Sequence, residues 1–177
     1  MAAMPAQSSD QDQLYRQASE TYGAAMERLA RAYEADPELR RDLLQEIHIA
    51  LWRSFEGFDQ RCSLRTWIYR VAHNVSTSHV VREHRAKSRM LVGLEELESL
   101  PDSESGQGDR KHALNRLLGM IQQLKPVDRH VILSYLEGLD AAEIGEVTGL
   151  SPRNVATKIH RIKAILRRRF QGGHDDE

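Results

Sequence analysis

The stretch that decides the fold is DAAEIGEVTGLSPRNVATKIHRIKAILRRRF, residues 140–170. It predicts a short helix, a tight turn and a longer helix, which together form a helix-turn-helix. Gly149 supplies the positive φ that the turn requires, and Gly145 leaves space where a side chain would obstruct the crossing of the two helices. Ser151 is the expected N-cap of the second helix, and Pro152 takes its first position, where the missing N–H costs nothing.

The longer helix of this motif is amphipathic and strongly basic. Leu150 is expected to fill the space between the two helices, and the inward residues are Val155, Ile159, Ile162 and Leu166. The opposite face presents the residues that a recognition helix brings to the major groove: Arg153, Asn154, Thr157, Lys158 and Arg161. Further along, three residues are placed to meet phosphates: Arg167, Arg168 and Arg169. A plain solvated face is the alternative, but the turn and capping residues favour contact with DNA.

The distribution of charge supports this interpretation, although the total charge does not. The formal net charge is −1 and the pI is about 6.7, whereas nucleic-acid-binding domains are commonly basic. Residues 151–170 carry seven Lys or Arg and no acid, and residues 61–89 carry a single acid, Glu83. Residues 90–109 carry six acids and no Lys or Arg. Because local potential attracts a polyanion, we hypothesise that this acidic segment and the tail 175–177 compete with DNA for the basic faces.

Helical periodicity also runs through the rest of the chain. Apolar residues recur at three-to-four-residue steps in the first half, and Ser63 is expected to cap a helix over 64–89. Before the helix-turn-helix, one amphipathic helix covers 114–124, and the next has an apolar face made of Val131, Ile132, Tyr135 and Leu136. Nothing in the pattern suggests a sheet, so we predict an all-α fold.

We predict two small helical domains joined by a flexible acidic linker. Gly, Ser, Pro and acids cluster over 99–109, where the apolar periodicity lapses. The predicted divisions, in chain order, are a disordered N-terminus (1–13), a first helical domain (14–89), the linker (90–110), the helix-turn-helix domain (111–170) and an acidic tail (171–177).

Several classes of protein are disfavoured by the sequence. No apolar run approaches the roughly 18 residues that span a membrane, and the N-terminus lacks the features of a signal peptide, so we expect a cytoplasmic protein. Cys62 has no partner for an internal disulfide, and we interpret it as a neutral filler. His73, His79 and His84 do not share a helix face, which argues against a metal site. Because no nucleophile–base pair and no phosphate-binding glycine loop is visible, we predict no enzymatic activity and no cofactor.

Two long segments together resemble a known family. They are RDLLQEIHIALWRSFEGFDQRCSLRTWIYRVAHNVSTSHVVREHR (41–85) and LKPVDRHVILSYLEGLDAAEIGEVTGLSPRNVATKIHRIKAILRRRF (124–170). Their sequence and order, with an acidic linker between them, resemble a bacterial RNA polymerase sigma factor of the extracytoplasmic-function (ECF) type. The resemblance implies that 14–89 is sigma region 2, which binds polymerase and recognises and melts the promoter −10 element. It implies that 111–170 is sigma region 4, which recognises the −35 element.

The resemblance also implies roles for individual residues. The helix RDLLQEIHIALW is expected to dock on the clamp helices of the largest subunit of core RNA polymerase, through Asp42, Gln45, Glu46 and Ile49. The stretch FDQRCSLRTW resembles the loop and helix start that capture a flipped base of promoter DNA. The residues available for that task are Phe58, Arg61, Ser63, Arg65, Trp67, Arg70 and Asn74. Periodicity alone places Trp67 in the core. The resemblance assigns the −35 element to Arg153, Asn154, Thr157, Lys158, Arg161, Arg167 and Arg168, and it makes an anti-sigma factor an expected partner.

The chain departs from the family pattern along the predicted −10 helix. Many relatives have Arg before the position of Asn74 and more Arg further along, whereas this chain has His73 and STSHVV at 76–81. The lower charge leaves the preferred −10 sequence open. A second hypothesis is a helix-turn-helix regulator that binds operators without polymerase, with an N-terminal domain that senses a ligand or dimerises. The second basic segment and its aromatic loop argue against it.

Overall fold

The computed structural model describes residues 7–87 and 110–171, and every regular element in these ranges is helical. The elements are α1 (Gln7–Tyr33), α2 (Pro37–Ser54), a single 3-10 turn (Phe55–Gly57), α3 (Leu64–Lys87), α4 (Arg110–Gln123), α5 (Pro126–Leu136), α6 (Ala141–Thr148) and α7 (Pro152–Gln171). The prediction of an all-α fold is confirmed.

Helices α1 to α3 form the first module around an apolar core. Helix α2 begins where the Asp36 carboxylate accepts hydrogen bonds from the backbone N–H groups of Glu38 and Leu39, at 2.9 and 3.1 Å. Its inward stripe is fully buried against α1 and α3 and consists of Leu43, Ile47 and Leu51. Burying each of these side chains stabilises the fold by about 1.5–3 kcal/mol. Helix α3 begins as predicted, with the Ser63 hydroxyl accepting from the backbone N–H of Thr66 at 3.0 Å.

The helix-turn-helix is present in the second module, as α6, the turn and α7. Gly149 has φ +77°, and the Ser151 hydroxyl accepts from the backbone N–H of Asn154 at 3.3 Å, as the sequence predicts. A β-carbon at Gly145 would lie 2.7 Å from the carbonyl oxygen of Leu150, which is too close for any side chain. Gly145 therefore makes room for the backbone of the turn itself. The sequence predicted instead that it makes room for the crossing of the two helices.

Three sequence predictions need correction or fall outside the described residues. Residues 7–13 are helical instead of disordered, because α1 packs on the end of α2. There the Gln11 amide donates to the Trp52 carbonyl at 2.7 Å, and the Trp52 indole donates to Asp12 at 2.8 Å. Tyr135 and Leu136, expected on an apolar face, are exposed. Residues 1–6, 88–109 and 172–177 lie outside the described residues, and with them the acidic segment 90–109 and the acidic tail.

The two modules pack directly against each other, which the sequence did not predict. Helix α3 contacts α5 and α6, and α1 contacts α4 and α5. The buried apolar side chains of both modules form one continuous cluster, which includes Ile68 on α3 and Val131 on α5. We call this contact between the modules the module interface.

Candidate nucleic-acid and polymerase surfaces

The first turns of α7 present an exposed polar face. Arg153, Asn154 and Thr157 are all exposed, as predicted for a recognition helix. Lys158 lies at the edge of this face, and its ammonium bonds to the buried carboxylate of Asp128 on α5 at 2.5 Å. Arg161 is half-buried. Three of the five predicted base-contacting side chains therefore lie fully on the surface, while Lys158 joins α7 to α5.

The arginines at the end of α7 differ in their environment. Arg167 and Arg168 are exposed. Arg169 is only 7% exposed, and its backbone carbonyl accepts a hydrogen bond from Arg116 of α4 at 3.4 Å. The prediction that Arg169 meets phosphate is wrong, because the helix turns this residue towards the rest of the module.

The loop before α3 brings two aromatic residues together. The rings of Phe58 and Trp67 have centroids 5.2 Å apart, and the Trp67 indole donates to the Ser54 hydroxyl at 2.9 Å. Trp67 is half-buried against the core, where its periodicity placed it. Arg61, three residues after Phe58, is exposed and forms an ion pair with Asp59 at 2.9 Å. This segment therefore combines a pair of neighbouring aromatic rings with an exposed guanidinium three residues after Phe58.

The remaining predicted −10 residues are spread along α3. Ser63 caps the helix, Arg70 is half-buried and Asn74 is exposed. Arg65 points into the second module, where it donates to the Glu137 carbonyl at 2.7 Å and lies 4.0 Å from the Glu143 carboxylate. The module interface therefore covers Arg65, one of the predicted DNA-contacting residues.

A buried arginine of α5 binds the ends of two other helices at the module interface. The guanidinium of Arg129 on α5 donates to the carbonyl of Tyr33 at 3.1 Å, to that of Leu124 at 3.0 Å and to that of Gln122 at 2.5 Å. It also lies over the Tyr33 ring, 5.1 Å from the centroid. Burial lowers the pKa of Arg129. The carbonyls at the ends of α1 and α4 thus obtain a donor.

Two histidines meet at the same interface. The rings of His73 on α3 and His130 on α5 have centroids 4.2 Å apart, and the Tyr33 hydroxyl lies 3.2 Å from Nδ1 of His130. Burial lowers the pKa of His73 to about 4. The pKa of His130 lies well below its ordinary value, because of burial first and of the neighbouring His73 second. The sequence analysis considered His73 as a metal ligand, which it rejected, and as the replacement of an arginine, and it did not pair His73 with His130.

The outward face of α2 is mixed in character. Asp42 and Gln45 are exposed, and Ile49 is 44% exposed, an unusual state for an isoleucine. Glu46 is partly covered because it pairs with Arg82 of α3, at 3.0 and 3.2 Å. Trp52, one turn after Ile49, is also exposed and extends the same stripe. The sequence analysis missed Trp52, although its spacing of three from Ile49 places it on this face.

The part of the chain that the structure describes contains neither a candidate metal site nor a membrane-spanning helix. Within residues 7–87 and 110–171, no group of three His, Cys, Asp or Glu side chains is arranged to hold a metal ion. No helix in these ranges is long and apolar enough to cross a membrane.

Comparison with known proteins identifies the modules. Residues 19–86 match the family Sigma-70 region 2, and residues 114–166 match the family Sigma-70, region 4. These two regions together span most of the chain, which therefore belongs to the sigma-70 family of sigma factors, and relatives that it matches are of the ECF type. The ECF RNA polymerase sigma factor SigG of Mycobacterium tuberculosis is 30% identical over 137 residues, which are 76% of this chain and 36% of SigG. This chain thus spans about a third of the length of SigG.

Two further relatives match along most of their length. The ECF RNA polymerase sigma factor SigW of Bacillus subtilis is 27% identical over 140 residues, covering 73% of this chain and 74% of SigW. The structure of CnrH in complex with the cytosolic domain of CnrY aligns with a TM-score of 0.68 and 22% identity, over 96% of this chain and 94% of that one. The likeness to CnrH shows that the fold is shared.

Proposed function

We propose that this protein directs RNA polymerase to specific promoters and opens the DNA strands there, as a dissociable subunit without catalysis of its own. The observation that supports it best is the presence of both sigma modules on one chain, in the family's order, with an exposed recognition helix on the second. Because polymerase works in the cytoplasm, we place the protein there.

For the −35 element, we propose that the start of α7 enters the major groove. Arg153 and Asn154 are exposed at the helix start, and these two side chain types pair bidentately with guanine and adenine edges. Thr157, Lys158 and Arg161 follow on the next turn, Lys158 after release from Asp128. Arg167 and Arg168 would contact phosphates and fix the register of the helix.

For the −10 element, we propose that the aromatic pair and α3 hold an unpaired base. Phe58 and Trp67 offer a partly accessible aromatic surface on which a base can stack, and the guanidinium of Arg61 is exposed nearby in sequence. Ser63, Arg65, Arg70 and Asn74 complete the proposed surface. Use of Arg65 requires that its contacts with Glu137 and Glu143 are broken first.

For polymerase, we propose that the exposed face of α2 binds the clamp helices of the largest subunit. Asp42 and Gln45 provide polar groups beside the exposed Ile49, a mixture typical of protein interfaces. Glu46 takes part through its pair with Arg82. We also propose an anti-sigma factor as a regulatory partner, because the related CnrH was solved in complex with the cytosolic domain of CnrY.

Binding to polymerase separates this proposal from the regulator hypothesis. Fluorescently labelled full-length protein, titrated with sigma-free bacterial core polymerase, is expected to form a stable one-to-one complex. Ile49→Asp should weaken that complex at least tenfold, whereas Val127→Asp, at an exposed valine of the second module, should not. A protein that binds duplex DNA tightly but shows no affinity for core polymerase would be the operator-binding regulator.

A further inference from the structure

The rings of His73 and His130 meet where α3 of the first module packs against α5 of the second. His73 is 8% exposed and His130 is fully buried, and their rings are in direct contact. Among the described residues, no hydrogen-bond partner reaches Nδ1 of His73 or Nε2 of His130. A proton added to either ring would place a positive charge in a buried contact between two rings.

The charged groups around the pair are engaged elsewhere. On α1, Glu34 bonds to His79 at 3.0 Å, and on α5, Asp128 is paired with Lys158 of α7. Arg129 adds a positive charge at the next position of α5, held by backbone carbonyls of α1 and α4 and by the segment after α4. From α6, Glu143 approaches Arg65, which lies two turns before His73 on α3. The Tyr33 hydroxyl is the polar group that touches His130.

We propose that protonation of His73 or His130 separates the two modules and exposes Arg65 together with the adjoining surface of α3. The module interface is thus a proton-sensitive contact that favours the closed protein at neutral pH. The effect on promoter binding rests on the proposed function, whereas the separation of the modules does not.

The direction and range of the effect follow from the two states of each ring. When the modules separate, both rings reach water and regain an ordinary pKa near 6.5, whereas in the closed protein the pKa of His73 is about 4. The closed state is therefore favoured fully above pH 6.5, and it loses this preference as the pH falls towards 4. Between pH 7.5 and 5.5 the ratio of open to closed molecules should rise roughly tenfold because of His73, and it should rise further because burial also lowers the pKa of His130.

Single-molecule energy transfer between the modules measures this ratio. The full chain would carry Arg16→Cys on α1 and Ala164→Cys on α7 for the dyes, with Cys62→Ser to remove the native thiol; positions 16 and 164 are both exposed. We expect a low-transfer population that grows as the pH falls from 7.5 to 4.5. Adding Arg28→Ala removes one ion pair of the interface. In that series the open population should become large enough to measure at a higher pH.

Three variants identify the groups that titrate. His73→Phe keeps an aromatic ring and His130→Asn keeps a polar atom facing Tyr33. Each should reduce the pH response, and the double variant should abolish it. His48→Asn is the matched control, because His48 also has a tyrosine hydroxyl 3.0 Å from Nδ1 and a pKa lowered by burial, but lies within the first module. Opening that is independent of pH, or that persists unchanged in the double variant, would overturn the proposal. Neither result depends on whether the protein supports transcription.

Discussion

Arg28 on α1 and Glu137, the residue after α5, form a two-bond ion pair between the modules, with Nε to Oε1 at 2.6 Å and Nη2 to Oε2 at 2.7 Å. The backbone carbonyl of the same Glu137 accepts from Arg65, at the start of the predicted −10 helix. One residue of the second module therefore holds two arginines of the first. The free protein described by this structure is closed over part of the surface that we propose to bind promoter DNA.

Loss of the Glu137 carboxylate should favour the open protein. Because the Arg28 side chain is 60% exposed, solvent screens the pair, and we expect Glu137→Gln to cost at most about 1 kcal/mol of closed-state stability. This corresponds to about a fivefold rise in open molecules, measured by energy transfer between the modules. Glu146→Gln, at an exposed carboxylate of α6, is the control and should have no effect. Equal distance distributions for Glu137→Gln and the unaltered chain would show that the pair does not hold the modules.

Gly145 should be intolerant of any side chain. Gly145→Ala would force its methyl group against the Leu150 carbonyl, and we expect a loss of about 1–3 kcal/mol in the free energy of unfolding, measured by urea denaturation. Gly119→Ala is the matched control, because position 119 lies within α4 and has open space around it. That change should be neutral or stabilise by up to about 1 kcal/mol. Similar effects for the two substitutions would contradict the tight turn.

Arg129 should be the most sensitive charged residue of the module interface. Arg129→Met removes the donor to three backbone carbonyls, so we expect a loss of about 2–5 kcal/mol in the free energy of unfolding. Arg129→Lys keeps the charge but loses the branched donor, and should recover only part of this loss. Arg16→Met, at an exposed position of α1, should change stability by less than about 0.5 kcal/mol. A cost below about 1 kcal/mol for Arg129→Met would mean that water replaces the guanidinium readily.

Arg153 should contribute to sequence discrimination. If its guanidinium bonds to a guanine, Arg153→Ala should cost about 1–3 kcal/mol at the cognate −35 sequence and little at a scrambled one. Arg168→Ala, at a proposed phosphate contact, should weaken binding to both sequences alike and lower the salt dependence. Binding of holoenzyme to the two DNAs across a salt series distinguishes these patterns. A uniform loss for Arg153→Ala would reassign this residue to the phosphate backbone.

The helix-turn-helix was predictable because its determinants are local. Gly149, Ser151 and Pro152 act within a few residues of their own positions, and the structure places each as the sequence indicated. The exposure of individual charged side chains on α7 was less predictable, because Lys158 and Arg169 lie at the edges of its polar face. There a neighbouring helix decides whether a charged side chain is paired, buried or free to reach DNA.

The module interface could not be predicted from periodicity. Its polar contacts join residues far apart in the chain: Arg65 and Glu137 are 72 positions apart, and Arg28 and Glu137 are 109 apart. None of these three residues belongs to a recognisable motif. In the sequence, His73 resembles a lost DNA contact, whereas in the structure its ring lies against that of His130. The exposed stripe on α2 was partly predicted, because an outward Ile49 breaks the amphipathic pattern, and Trp52 was missed.

Run-off transcription tests the central claim most directly. Purified full-length protein and sigma-free bacterial core polymerase would be combined with fragmented genomic DNA of the source organism, including the fragment upstream of its own gene, and the 5′ ends of the transcripts sequenced. We predict transcripts with shared −35 and −10 sequences that require both components and that diminish with Arg153→Ala. The absence of any transcript dependent on the protein, together with failure to bind core polymerase, would contradict its assignment as a promoter-directing subunit.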